Sequence, residues 1–488
     1  MENERSGFHR RVVAGFAWQG ATKFAVQAIS WVSTILVARL LAPTDYGLMA
    51  IAGVFISLMT LIMDMGLAQG LVQRSKTTPE QEDAVFWFSL LLGGGLFLLL
   101  FFSAPLIAEF YDMPTLTALL QLCACGLVIS SLRAVPFAML MRRMDFRSRA
   151  LVEMSASLGS MLTVVTLAFN GFGVWSLAWG TLVQQAIVTL GFLRTMQRRP
   201  RLRFRWSRIK GILSFGLNVT GANVAFVVSS QAGVFIIGKF LGGHLTGIYS
   251  LALQLATMPL DKIGAVFNQV GFPSLARVKD DDEQCRSLFR DLHRYLLFIA
   301  YPILFGMAVV ARDMIEVLLG EKWLAAAPIL QVICAVNVVR ISGMLITPLL
   351  NSRGRAREAF HYSLTGALLL PPAFLVGVQF GIEGVVIAWL LAYPVLYAML
   401  LRYLYREIAV GLGDLVTDSR PTLTATALMA GAVLLFQELT ADFRPVLRLI
   451  GSIGLGASVY IAVFVVLYGE QVARMRAALR ALRSGKIA

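Results

Sequence analysis

Residues 84–108 read AVFWFSLLLGGGLFLLLFFSAPLIA, twenty-five positions without a charged side chain. At 1.5 Å per residue a helix of this run is about 37 Å long, more than the ~30 Å hydrocarbon core of a bilayer. A surface helix of a soluble domain keeps one polar face, and this run has none. It reads as a membrane-crossing helix. Working outward, further apolar runs lie near 14–41, 46–69, 115–140, 150–169, 172–193, 212–238 and 246–272, then near 292–311, 324–350, 359–378, 380–401, 421–437 and 446–468. The expected fold class is all-α, a polytopic membrane protein of about 14 transmembrane helices. The 488 residues are 57% hydrophobic and 15% charged, with a mean hydropathy of +0.73, against ~45–50% and ~25% in soluble domains. Connections of roughly 15 residues leave no room for a folded soluble domain.

Charge in the loops tests the count. Along the N-terminus, every second loop and the C-terminal tail, Lys and Arg number thirty-two; the opposite loops hold six, and five lie within spans, which accounts for all 43. A missed span would invert every later loop, so the sustained bias supports both the count and an orientation with both termini cytoplasmic. Arg5, Arg10 and Arg11 precede an apolar stretch in the manner of a signal peptide. That stretch runs to about Leu41 through Lys23 and lacks a small-residue cleavage site, so a retained first span is expected. The net charge of +15 belongs to topology and anionic lipid, not to nucleic acid.

Two echoes suggest an internal repeat. Residues 38–52 align with 238–252 through Leu41/Leu241, Gly47/Gly247 and Ala52/Ala252, and Phe172-Gly173 with Trp179 echoes Phe380-Gly381 with Trp389. Both relate span n to span n+6, so the halves share orientation, as parallel transporter repeats do. The expected organisation is an N-terminal six-helix lobe (1–193), a basic cytoplasmic linker (194–211), a C-terminal six-helix lobe (212–410), two additional helices (411–470) and an amphipathic tail (471–488). The linker, where Phe204 and Trp206 interleave with arginines, and the tail both suit the headgroup layer.

No Gly-x-x-x-x-Gly-Lys-Ser/Thr motif occurs, and the four histidines and four cysteines are scattered. No catalytic residue, metal site or cofactor is expected. The chemistry falls to charges inside spans, each costing about 2.5–3.5 kcal/mol at a helix centre unless it faces protein or water. Lys23 shares a stripe with Gln19, Gln27 and Ser30. Arg133 lies in span four beside Ser130 and Ser131, and Arg340 lies in span ten near Asn337. Span eight carries Asp261 and Lys262 after Pro259. Asp64, Glu153, Asp291 and Arg294, near the cytoplasmic ends, read as structural. The deep set Lys23, Arg133, Lys262 and Arg340, against Asp261, predicts a cationic cavity for an anion such as a diphosphate, with Gln19, Gln27 and Asn337 in support.

Several stretches resemble the polysaccharide-export flippases of the multidrug/oligosaccharidyl-lipid/polysaccharide exporter superfamily: Ala38-Arg-Leu-Leu-Ala-Pro-Thr-Asp-Tyr-Gly-Leu48, Asp64-Met-Gly-Leu-Ala-Gln-Gly-Leu-Val-Gln-Arg74, Val85-Phe-Trp87, Met141-Arg-Arg-Met-Asp-Phe-Arg147, Gly171-Phe-Gly-Val-Trp175, Gly238-Lys-Phe-Leu-Gly242 with Gly247-Ile-Tyr-Ser250, and Gly271-Phe-Pro-Ser-Leu-Ala-Arg277. Met65 departs from the phenylalanine frequent there. The likeness covers about the first 280 residues and continues more loosely to about 410. It implies two six-helix lobes plus two helices working by alternating access in the bacterial inner membrane. It implies an undecaprenyl-diphosphate-linked oligosaccharide as cargo, with membrane lipids and the polymerase and chain-length components of the same pathway as partners. A small-molecule efflux carrier of the same superfamily would call for buried acids. A membrane glycosyltransferase or polymerase would call for a long outer loop rich in acids or histidines.

Overall fold

The computed structural model describes residues 29–73, 77–196, 198, 200–201 and 206–469, and among them finds helices and no strand. The helices are α1 (Ile29–Leu40), α2 (Pro43–Asp64), α3 (Leu67–Gln73), α4 (Pro79–Tyr111), α5 (Thr115–Ser131), α6 (Ala134–Arg142), α7 (Phe146–Phe169), α8 (Val174–Arg194) and α9 (Trp206–Arg277). There follow α10 (Asp282–Val309), α11 (Ala311–Leu319), α12 (Ala326–Ser342), α13 (Ile346–Ser352), α14 (Ala356–Gly377), α15 (Gly381–Ile408), α16 (Leu412–Leu439) and α17 (Pro445–Leu467).

Among the described residues ten helical segments are long and apolar enough to cross a membrane, and α5 with α6 makes an eleventh, bent by 42°. Two of the ten are over-long: 54 residues at Val224–Arg277 and 53 at Ala356–Ile408, each about 80 Å of helix against a ~30 Å core. The first breaks at Gly242, whose φ of 81° suits a residue without Cβ; the second breaks at 378–381 around Gly381, φ 77°. With those divided, thirteen of the expected spans coincide with helices, and α1 is the described end of the first. Three of the four cysteines are buried, while Cys125 is exposed.

The chain forms two compact units, Met1–Gly247 and Ile248–Ala488. In the first, α4 packs on α5, α5 on α8, and α7 on α8. In the second, α10 packs on α12, α12 on α15, and α14 on α15. Numbered as spans, the second set is the first shifted by six. Within the first unit, 224–241 of α9 lies against α2 and α4: Tyr111 donates to the Phe235 carbonyl at 3.3 Å, and Lys239 pairs with Asp112 at 3.0 Å. The described part of the basic linker docks on the start of α4. There the buried Asp83 carboxylate receives Arg198 Nη2 at 2.6 Å and the Arg201 amide at 3.1 Å, and Trp87 Nε1 donates to the Arg201 carbonyl at 2.9 Å.

The glycines aligned in the sequence repeat meet each other. A Cβ on Gly47 would lie 1.8 Å from the Gly243 carbonyl oxygen, and one on Gly247 would lie 1.7 Å from that of Pro43. The contact is reciprocal at a constant offset of 200 residues, as between surfaces related by a two-fold axis. Backbones approach this closely only where side chains are missing, the small-residue packing of membrane helices.

The two final helices are tied into the second unit at both ends. Asp418 of α16 accepts two hydrogen bonds from Arg290 (2.6 and 2.7 Å) and one from Arg294 (2.5 Å), both on α10. Arg448 of α17 forms a bidentate pair with the buried Asp313 of α11 at 2.8 and 2.5 Å. Arg294, read from sequence as a structural residue near water, is one arm of the first tie.

Candidate functional site

A cavity of about 410 Å³ lies in the first unit where several helix ends converge. Two local breaks build it. Pro136 has no N–H for the Leu132 carbonyl, and its ring crowds that carbonyl. The helix therefore stops at Ser131, restarts at Ala134, and leaves Arg133 on the hinge. The second break, at Met65 and Gly66 (φ 28° and 63°), ends α2 and turns the chain into α3. The lining includes Asp64 from the end of α2, Ser89 of α4, Ser130 and Ser131 of α5, Arg133, Phe137 of α6, and Glu153 of α7. Arg133 acts electrostatically on Asp64, and Glu153 is paired with Arg149 at 2.7 Å. The side chain of Ser89 is 1% exposed, and its Oγ has no hydrogen-bond partner.

The sequence reading placed Arg133 in a cationic cavity and left Asp64 and Glu153 to the membrane edge. The structure puts the two carboxylates around the same space as the arginine. Their depth was readable. Their convergence was not, because it depends on antiparallel neighbours presenting ends of opposite sequence direction.

In the second unit, Arg340 sits in the last turn of α12, half-buried; among the described residues no carboxylate comes within 4.0 Å of its guanidinium. Its charge reaches Tyr362 of α14, which lies near Tyr393 of α15. Asn337 is fully buried, donates Nδ2 to the Ala256 carbonyl at 3.1 Å, and leaves Oδ1 without a partner. Asp261 and Lys262 are exposed on α9 and make no ion pair with each other. Below Arg340, Ser342 receives a hydrogen bond on its carbonyl from His293 Nε2 at 3.2 Å, and its hydroxyl lies 2.9 Å from that of Tyr301. His293 was passed over in the sequence for lack of a second histidine nearby; its partner is a backbone carbonyl, which carries no sequence signal. Lys23, Gln19 and Gln27 lie outside the described residues, as does the tail 471–488.

Spans four and ten both break beside a proline. Pro348 follows the break between α12 and α13 as Pro136 follows the first, but Arg133 stands three residues before its proline and Arg340 eight. The two arginines therefore sit about one and a half turns apart in register and are not strict equivalents.

The stretches that carry the resemblance are structural ties. Asp45 of the Asp-Tyr-Gly stretch accepts from the Ala42 amide at 3.0 Å, starting α2, and from the Val174 amide at 3.0 Å, fixing α8. Its second partner follows Gly173, where φ is 53° and an added Cβ would lie 3.0 Å from Asp45 Oδ1. Residues 36–328, three-fifths of the chain, match the model of a family described as "Polysaccharide biosynthesis protein". The chain belongs to this family. Among its relatives is the "Lipopolysaccharide biosynthesis protein WzxC" of Escherichia coli (strain K12), 27% identical over 432 residues, 85% of this chain and 87% of that protein. Another is the "Succinoglycan biosynthesis transport protein ExoT" of Rhizobium meliloti (strain 1021), 25% identical over 458 residues and 92% of each chain. Among solved structures, "Lipid II flippase MurJ, inward closed conformation" superposes with a TM-score of 0.73 at 15% identity, covering 93% of this chain and 99% of that one. An inward-facing multidrug transporter of the MATE family gives 0.62 at 16% identity, covering 78% and 95%. These likenesses establish the fold: a polytopic helical membrane protein.

Proposed function

We propose that the protein is a flippase that moves undecaprenyl-diphosphate-linked oligosaccharide repeat units from the cytoplasmic to the outer leaflet by alternating access, for a bacterial polysaccharide such as O-antigen, capsule or exopolysaccharide. It is a transporter and not an enzyme, placed in the cytoplasmic membrane with both termini inside, and built of lobes 1–193 and 212–410 with 411–470 appended. Membership of the polysaccharide biosynthesis family, relatives named for lipopolysaccharide and succinoglycan, and the flippase-like fold support this reading.

The observation that carries it is Arg340. A guanidinium in an apolar span costs several kcal/mol unless a polar partner or water meets it, and the described residues offer it no carboxylate. An anion that enters and leaves answers that cost. Lys262 of the same unit, exposed on α9 and without an ion pair among the described residues, is a second candidate contact for the diphosphate. An efflux carrier for cations would place acids where this chain places Arg340.

The test is the affinity of the purified chain for undecaprenyl diphosphate. Arg340→Gln and Lys262→Gln each weaken binding about tenfold, the loss of one charge-assisted contact, with melting temperature unchanged. Wild-type affinity in both variants would remove the cationic contact from the account.

A further inference from the structure

We infer that the cavity of the first unit is a sugar subsite, taking one saccharide ring of the cargo rather than its diphosphate; the inference rests on the flippase reading above. Its size fits: about 410 Å³ lies near the lower end of small-molecule sites, ~300–1,000 Å³, which suits one ring and excludes a whole repeat unit. Its charge argues against a diphosphate. Asp64, Arg133 and Glu153 line it together, with Glu153 also paired to Arg149 at 2.7 Å, so one lining cation stands against two lining carboxyl groups and no positive surplus remains for a multiply charged anion.

The same lining suits a neutral polyol. Carboxylates accept from sugar hydroxyls, a guanidinium donates to ring and hydroxyl oxygens, and serine hydroxyls do both. Phe137 and Phe192, with ring centroids 5.9 Å apart, border the cavity and offer apolar surface to the C–H face of a ring. The independent sign of a ligand is Ser89. A hydroxyl 1% exposed and without a partner pays the desolvation penalty of an unmade hydrogen bond unless something in the cavity completes it. The tail-bearing diphosphate and the sugar are thereby read by different groups, and cargo selection is separable from carrier binding.

The experiment measures binding to the purified full chain of two probes, undecaprenyl diphosphate without sugar and undecaprenyl diphosphate carrying one hexose. The variants are Ser89→Val, Asp64→Asn and Arg133→Gln, with Ser89→Thr retaining the hydroxyl. The wild type binds the hexose-bearing lipid about tenfold more tightly than the bare one. The first three variants lose most of that increment, keep affinity for the bare lipid within about twofold, and Ser89→Thr retains the increment. Equal loss for both lipids, with melting temperatures preserved, would make the cavity a diphosphate site and overturn the inference, as would an increment unaffected by any variant. A wild type that binds both lipids equally overturns the sugar subsite while leaving the flippase reading intact; one that binds neither overturns both. Displacement of the hexose increment by sodium ions at constant ionic strength would reassign the carboxylates to a cation and also overturn it.

Discussion

Single residues show where sequence reasoning has purchase and where it stops. Gly47 and Gly247 were paired by alignment alone, and the structure sets them against each other's neighbouring backbone. The sharpest consequence concerns a single methyl group. In Gly247→Ala the new Cβ would fall 1.7 Å from the Pro43 carbonyl oxygen, so the α2 backbone must retreat, at a cost of at least about 2 kcal/mol. Gly53→Ala, in the same helix α2 with open space around its Cα, costs nothing measurable and gains slightly in helix propensity. A fall of several degrees in melting temperature for the first and none for the second is the expected pair of results; equal melting temperatures would contradict the seam. Arg133 and Arg340 were legible as charges within apolar spans, by counting residues inward from charged loops, whereas Asp261 and Lys262 of the same expected set are exposed on α9. The surroundings of the two arginines were not: Asp64, two spans earlier, lines the same cavity as Arg133, and Ser342 meets His293 through a carbonyl. Gln19, Lys23 and Gln27 keep their sequence-based assignment as a proposal.

At the scale of elements, the apolar runs reappear as helices wherever the residues are described, because hydrocarbon leaves the backbone no alternative to satisfying its own hydrogen bonds. The breaks within them follow from proline and glycine: Pro136 behind the 42° bend of α5 and α6, Gly242 and Gly381 at the divisions of the over-long segments. What composition gave no hint of is how firmly α16 and α17 are held. They lie beyond residues 36–328, which the family model matches, yet Asp418 gathers Arg290 and Arg294 at one end and Asp313 gathers Arg448 at the other. Asp418→Asn leaves two guanidinium groups facing a neutral amide. Because both arginines are about one-third exposed, water tempers the penalty to about 1–2 kcal/mol. A double-mutant cycle with Arg290→Gln, read by thermal unfolding of the purified protein, returns a coupling energy of that size and sign. Zero coupling would reduce the tie to a passive contact.

For the whole molecule, the helices are those of a polytopic membrane protein, and the shift-by-six packing pattern and the reciprocal glycine contact are what the six-helix duplication expected from sequence would give. Family membership places it in polysaccharide biosynthesis. The central claim is that it carries an intact lipid-linked saccharide from one leaflet to the other. The direct measurement reconstitutes the purified chain into vesicles containing a fluorescent undecaprenyl-diphosphate oligosaccharide and follows its accessibility to an impermeant quencher in each leaflet, with the mass of the lipid recorded before and after. Protein-dependent movement between leaflets is expected, slowed at least about tenfold by Arg340→Gln, with the lipid's mass unchanged. A lipid that stays in its original leaflet, or one that gains or loses sugar, would contradict it.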